Sequence, residues 1–223
     1  SLTQILIPST VTSFGKNIFN GIKTLEIIGN IQYIPNNLFF GCKSLKEIII
    51  PSSVTKIGNN ALIDCSSLVQ ISLPSSLIEI GDNAFSGCSS LSQITFEFPS
   101  SLNSIGNNAF EGCRSLKEIT IPSSVSSIGF GAFYGCSSLK QLSIPSYFIP
   151  SIKYAFNVIR ILEITDDIKY IPDKFFEGCS ILRSISLPES VISIGNNAFN
   201  KCSLLKEIKI PSNVQSIGNN AFN

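Results

Sequence analysis

Short bursts of alternating apolar and polar residues recur along the chain. In the run from Leu116 to Ile121, Ile119 and Ile121 alternate with Glu118 and Thr120, which predicts a strand with one buried face. A proline follows, Pro122 here and Pro51, Pro74, Pro145, Pro188 and Pro211 elsewhere. Lacking an N–H, it cannot extend the ladder and ends the strand. The next half of the unit reads Val125-x-x-Ile128-Gly129-x-x-Ala132-Phe133. Its inward residues lie three or four apart, which predicts a short helical or 3₁₀ turn, with Gly106 or Gly129 permitting a tight bend.

The cysteines act as a ruler. They stand at Cys42, Cys65, Cys88, Cys113, Cys136, Cys179 and Cys202, so the steps between them are 23, 23, 25, 23, 43 and 23. The step of 43 divides into 23 and 20 at Ile159, which takes a cysteine slot, and Ile22 takes one in the same way ahead of Cys42. A leucine lies three residues after each cysteine, and ten strand segments follow, from Leu2–Ile7 to Leu205–Ile210. A fixed period of this size marks a repeat architecture. A unit of about 23 residues cannot bury its Leu, Ile and Phe alone, whereas stacked copies bury them strand beside strand in a parallel sheet. The whole chain, 1–223, is thus expected to be a single solenoid of about ten repeats of 20–25 residues. The segment Ile22–Ile27 resembles Ile159–Ile164, and the shift that superposes them also carries Cys42 and Cys65 onto Cys179 and Cys202. Duplication of a six-repeat block accounts for this, and the two short units should bend the stack locally. Glu97-Phe98 is the opposite irregularity, a two-residue insertion after a strand.

The motif Leu-x-x-Ile-x-Ile-Pro-x-x-Val-x-x-Ile-Gly-x-x-Ala-Phe-x-x-Cys at 116–136 resembles the BspA-like (Treponema-type) leucine-rich repeat, and the resemblance covers essentially the whole chain. It implies an α/β leucine-rich repeat solenoid that is curved and right-handed. The parallel β-sheet would lie on the concave face, with short helical or 3₁₀ turns on the convex side. It further implies a cell-surface or secreted protein of a bacterium or parasitic protist, engaged in adhesion to host or extracellular-matrix molecules.

Composition removes several chemistries. Histidine is absent, and with it the commonest general base and every Ser-His or Cys-His pair. No Gly-rich phosphate loop appears, so the chain is read as non-enzymatic, with no catalytic residues, no cofactor and no metal site. The formal charge of +1 lacks the basic excess of a nucleic-acid binder. No apolar run approaches the roughly 20 residues of a transmembrane segment, and no signal peptide is present at residue 1. Methionine is also absent, so the chain is expected to be a segment of a longer protein.

The outward strand positions are the informative surface. One column reads Gln4, Glu26, Glu47, Gln70, Gln93, Glu118, Gln141, Glu163, Ser184 and Glu207, and the next runs through Ser72, Thr95, Thr120, Ser143, Thr165 and Ser186. Lys46, Lys117, Lys140, Arg183 and Lys206 form a basic margin, and Leu6, Ile28 and Ile49 an apolar spot. The candidate ligand-binding residues are Glu47, Gln70, Gln93, Thr95, Lys117, Glu118, Thr120, Gln141 and Ser143. The alternative is that the Lys and Glu side chains are merely solvated neighbours. Large aromatics are missing from this strip, so modest affinity per repeat multiplied by repetition is expected.

Three other recurring features have plainer readings. The odd cysteine count, and isoleucine in the same slot, point to buried free thiols rather than disulfides. The Asn-Asn pairs, such as Asn59-Asn60 and Asn107-Asn108, suit turns in which asparagine bonds its own backbone. The recurring Phe19, Phe85, Phe110, Phe133, Phe156, Phe199 and Phe222 read as a core spine. Three functions stay open: an extracellular module binding protein or glycan, an intracellular protein-interaction scaffold, and a self-associating array.

Overall fold

The computed structural model describes residues 4–6, 8, 19–144, 160–164 and 168–223. They form two compact units, residues 1–117 with 124–138 and residues 118–123 with 139–223. In the first unit, each repeat supplies a strand to one parallel side and a two-residue strand to another. The first side comprises β1 (Gln4–Leu6), β2 (Thr24–Ile28), β4 (Glu47–Ile49), β6 (Gln70–Leu73) and β8 (Gln93–Phe96), paired as β1-β2-β4 and β6-β8. The second is a five-stranded parallel sheet of β3 (Tyr33–Ile34), β5 (Lys56–Ile57), β7 (Glu79–Ile80), β9 (Ser104–Ile105) and β11 (Ser127–Ile128). The second unit repeats the plan. Strands β10 (Glu118–Thr120), β12 (Gln141–Ile144), β13 (Ile161–Ile164), β15 (Ser184–Ser186) and β17 (Glu207–Ile208) form one parallel sheet. Strands β14 (Tyr170–Ile171), β16 (Ser193–Ile194) and β18 (Ser216–Ile217) form the other. Each unit is a parallel-strand β-solenoid, and the ten strands of the first kind match the ten expected segments.

Alternation decides which side chains enter the core. Ile48, Ile71 and Ile94 from the first strands and Ile57, Ile80 and Ile105 from the second are all buried. The phenylalanines stack at the repeat spacing, with ring centroids 5.3 Å apart for Phe85–Phe110, 5.6 Å for Phe110–Phe133 and 5.3 Å for Phe199–Phe222. Offset stacking of this kind adds to the stabilisation from burial. Phe156 lies outside the described residues. All seven cysteines are free and buried, as expected. The thiols of Cys65, Cys88, Cys113, Cys136 and Cys202 donate to backbone carbonyls of a neighbouring repeat, for example Cys65 Sγ to Phe39 O at 3.2 Å and Cys136 Sγ to Phe110 O at 3.1 Å. Burial pushes the Cys88 thiol up from its ordinary range.

The second half of each repeat departs from the expected helical or 3₁₀ turn, because the described residues contain no helix. The stretch after each short strand is a run of turns whose amides look outward along the stack. The N–H groups of Asn37, Phe39 and Gly41 donate to the carbonyls of Asn59, Ala61 and Ile63 at 3.0, 2.7 and 2.9 Å. An α-helix would turn those donors back on their own segment. Left-handed residues enforce the choice, since Asn37, Asn60, Asn83 and Asn108 have φ of 60°, 57°, 53° and 52°. Four residues later comes a second left-handed position, held by Gly41, Asp64, Gly87 and Gly112. A right-handed helix cannot pass through either position.

The preceding Asn or Asp has a role that sequence reasoning missed. Asn59 N–H donates to Asn36 Oδ1 at 2.8 Å, Asp82 N–H to Asn59 Oδ1 at 2.9 Å, and Asn107 N–H to Asp82 Oδ1 at 2.7 Å. The second unit has the same ladder through Asp173, Asn196 and Asn219. These side chains satisfy the neighbouring repeat's backbone rather than their own, which corrects the expected self-bonding turn. The glycine before Asn107 is required by close approach, since a Cβ on Gly106 would lie 2.6 Å from Asp82 N.

Candidate functional site

Because inward positions are taken by the core, the polar residues between them must face out. Glu47 on β4, Gln70 on β6, and Gln93 and Thr95 on β8 are exposed in the first unit, and Lys117 is exposed at its edge. Gln70 pairs with Gln93 and Ser72 with Thr95. Together with Ile49 and Glu97, these residues line a shallow depression of about 310 Å³ across β4, β6 and β8. Four of the nine expected site residues thus converge, joined by Ser72, Ile49 and Glu97, which the candidate list lacked. Ser72 Oγ donates to Glu97 Oε1 at 3.4 Å. The lining carries two carboxylates and neither lysine nor arginine, so it offers acceptors, amides and hydroxyls to a ligand.

The insertion also leaves an aromatic ring exposed: Phe98, which follows Glu97 in the chain, is 80% exposed. The longer step from Cys88 to Cys113 was the signal, but spacing alone cannot tell an outward ring from an inward one.

In the second unit, Glu118 and Thr120 on β10 are exposed and pair with Gln141 and Ser143 on β12. The side chains of Gln141 and Ser143, and all of Thr165, lie outside the described residues.

Strand register corrects the columns at both short units. Glu47 pairs with Thr24, and Glu26 with Ile49. Likewise Ile161 pairs with Gln141 and Ser184, while Glu163 pairs with Ser143 and Ser186. Glu26 and Glu163 therefore stand two residues along from the column to which alignment assigned them. Glu26 accepts a hydrogen bond from Gln4 Nε2 at 2.6 Å. The apolar spot is real in part: Leu6 pairs with Ile28, and Ile49 is exposed. In the second unit the register places an exposed isoleucine, Ile161 of β13, between Gln141 and Ser184. It also brings Lys23 beside Lys46, whose N–H donates to Lys23 O at 2.7 Å, and adds Arg160 to the basic margin.

A second depression, of about 510 Å³, lies on the β14-β16-β18 side among Tyr170, Asp173, Ser193, Asn196 and Ser216. The Oδ1 atoms of Asp173 and Asn196 already accept backbone N–H groups there. Elsewhere, Lys56 pairs with Glu79 at 2.9 Å and Lys209 with Glu189 at 3.2 Å. Hydrogen bonding from Lys209, with Ser212 N–H in support, holds the Glu189 carboxyl below its ordinary range. No three His, Cys, Asp or Glu side chains converge to hold a metal ion among the described residues. No described helix is long and apolar enough to cross a membrane.

Comparison with known proteins follows the same lines. The BspA type leucine rich repeat region matches in six copies, over residues 1–98, 94–165 and 154–223. The solved leucine-rich repeat protein of T. pallidum is 32% identical over 92% of this chain and 79% of its own, with a TM-score of 0.53. The pneumococcal vaccine antigen PcpA is 22% identical over 97% of this chain and 68% of its own, with a TM-score of 0.55, a likeness of fold. No curated protein matches the chain. Repeat motif, parallel stacking and family match agree, and the chain belongs to the BspA-type leucine-rich repeat family.

Proposed function

We propose that the chain is a non-enzymatic binding and adhesion module, exposed at the cell surface or secreted, that contacts protein or glycan ligands through the outward face of its first strands. The observation that carries this reading is the depression over β4, β6 and β8. There Glu47, Gln70, Gln93 and Thr95 meet around an open polar floor, and the exposed ring of Phe98 follows directly in the chain. Polar groups fix orientation, and a desolvated aromatic supplies most of the energy in such contacts. Affinity per site is modest and grows with repetition.

The test measures binding of the chain to plate-coated basement-membrane extract and to intact epithelial cells. Wild type should bind, and the combined Glu47→Ala, Gln70→Ala, Gln93→Ala and Phe98→Ala variant should lose about tenfold or more, roughly 1.4 kcal/mol, with unchanged melting. Binding that survives these changes contradicts the assignment.

The buried free thiols favour a second reading, an intracellular protein-interaction scaffold, because reducing compartments keep thiols unpaired. Antibody labelling of intact against permeabilised source cells separates the two. Signal on intact cells supports the surface reading, and signal only after permeabilisation supports the scaffold.

A further inference from the structure

Strand register reveals a charged feature that alignment by cysteine leaves broken. Lys140, Arg160, Arg183 and Lys206 each stand one residue before Gln141, Ile161, Ser184 and Glu207. Those four positions are register partners across β12, β13, β15 and β17. The backbone follows the same line, with Arg183 N–H donating to Arg160 O at 2.8 Å and Lys206 N–H to Arg183 O at 3.3 Å. At about 4.8 Å between strands, the four cations form a row roughly 14 Å long.

All four residues are exposed, and none is in an ion pair among the described residues. Lys209 is different, because Glu189 holds it. The carboxylates on these strands are Glu163 on β13 and Glu207 on β17, so the centre of the row, at Arg160 and Arg183, is mainly cationic. Guanidinium groups bind sulfate and phosphate oxygens in bidentate fashion.

We infer that this row binds a linear sulfated polysaccharide of the glycosaminoglycan type. A pocket with converging donors would suit one small anion, whereas a straight row at a regular spacing suits a chain that carries its charges at intervals. Ser184 and Ser186 are exposed beside the row and offer hydroxyl groups to sugar hydroxyls. Single-stranded nucleic acid is bound through aromatic stacking platforms, which the outward positions Ile161, Glu163, Ser184, Ser186 and Glu207 do not provide. This rests on the glycan arm of the adhesion reading, narrows it to one ligand class, and places it apart from the depression over β4, β6 and β8, which belongs to the other unit.

The test passes the full chain over immobilised heparin at several salt concentrations, with desulfated heparin and a short duplex DNA as comparators. Wild type should bind heparin with an affinity that falls as salt rises, because each neutralised charge releases counterions. Arg160→Ser with Arg183→Ser should weaken binding about tenfold or more at about 100 mM NaCl without changing the melting temperature. Lys23→Ser with Lys46→Ser in the first unit should leave it unchanged, as should the combined Glu47, Gln70, Gln93 and Phe98 variant. The inference is overturned by no binding to heparin, by equal binding of desulfated heparin or duplex DNA, or by an unaffected double arginine variant. Loss of matrix binding with heparin binding intact would sink only the adhesion reading.

Discussion

Replacing Gly106 by alanine separates two uses of glycine that look alike in the sequence. Gly106 does not lie in the left-handed region, and at such a position alanine ordinarily stabilises by about 0.4–1 kcal/mol through the unfolded chain. Here the added Cβ would stand 2.6 Å from Asp82 N, 2.6 Å from Gly81 C and 2.7 Å from Asp82 Oδ1. Comfortable contacts lie at about 3.5–4.0 Å, so the neighbouring repeat must withdraw by roughly 1 Å. The atoms in the way carry the stack: Gly106 N–H donates to Ile80 O at 2.8 Å, and Asn107 N–H to Asp82 Oδ1 at 2.7 Å. Weakening both bonds loses about 0.5–1.5 kcal/mol each, and overpacking adds about 1–3 kcal/mol. Set against the entropic gain, the net loss is about 1–5 kcal/mol. Equilibrium urea unfolding followed by circular dichroism should show a lower midpoint at unchanged slope. Gly112→Asn is the companion variant. Gly112 has φ +69°, the nearest atoms to its Cβ would be 3.8 Å away, and Asp64 and Lys201 fill the equivalent slot at φ 59° and 61°. That change should lose no more than about 1 kcal/mol, since asparagine tolerates the left-handed region. A Gly106→Ala protein as stable as wild type, or a Gly112→Asn protein that falls as far, would refute the reasoning.

Other expectations follow from the same contacts. Phe110, fully buried between Phe85 and Phe133, should lose about 3–5 kcal/mol on truncation to alanine, and a loss below about 1 kcal/mol in urea unfolding would contradict its stacking. Asn107→Leu removes the acceptor for Phe130 N–H, now at 2.8 Å, and should lower stability by about 0.5–1.5 kcal/mol. Asn107→Asp should stay close to wild type, because Asp82 and Asp173 already fill that slot; equal thermal melts for the leucine and aspartate variants would count against the ladder. Titration with a thiol reagent should find little reaction in the folded protein and seven equivalents after denaturation, with one or fewer thiols after denaturation excluding the free-thiol core.

What was legible in the sequence was whatever depends on one residue's place within its own repeat. Alternation at Glu118-Ile119-Thr120 predicted the strand and its faces, and the Cys slot shared with Ile22 predicted a buried thiol rather than a bridge. Ile22 N–H indeed donates to Phe19 O at 3.3 Å, as Cys42 N–H does to Phe39 O at 3.1 Å. Interactions between repeats were not legible. Inward residues three or four apart at Val54, Ile57 and Ala61 fit a helix as well as a short strand followed by turns, and the inter-repeat amide bonds decide between them. Glu47, Gln70, Gln93, Thr95, Glu118 and Thr120 do face outward, yet Glu26 and Glu163 were aligned two residues out. Strand register follows backbone pairing, and at the short units that pairing does not track the cysteine count. Arg160 and Lys23 fell out of the basic margin for the same reason.

Cross-linking on the outward face tests most directly the claim that backbone pairing sets each strand's register. Register pairs Ile161 with Ser184, at about 4.8 Å between parallel strands and within the roughly 4.4–6.8 Å window for a disulfide. The outward column read from the sequence would instead pair Glu163 with Ser184, which the observed register separates diagonally by roughly 8 Å. Under mild oxidation, Ile161→Cys with Ser184→Cys should form an intramolecular disulfide, and Glu163→Cys with Ser184→Cys should remain reduced. The opposite result would move Arg160 out of the cation row and contradict the placement of both faces.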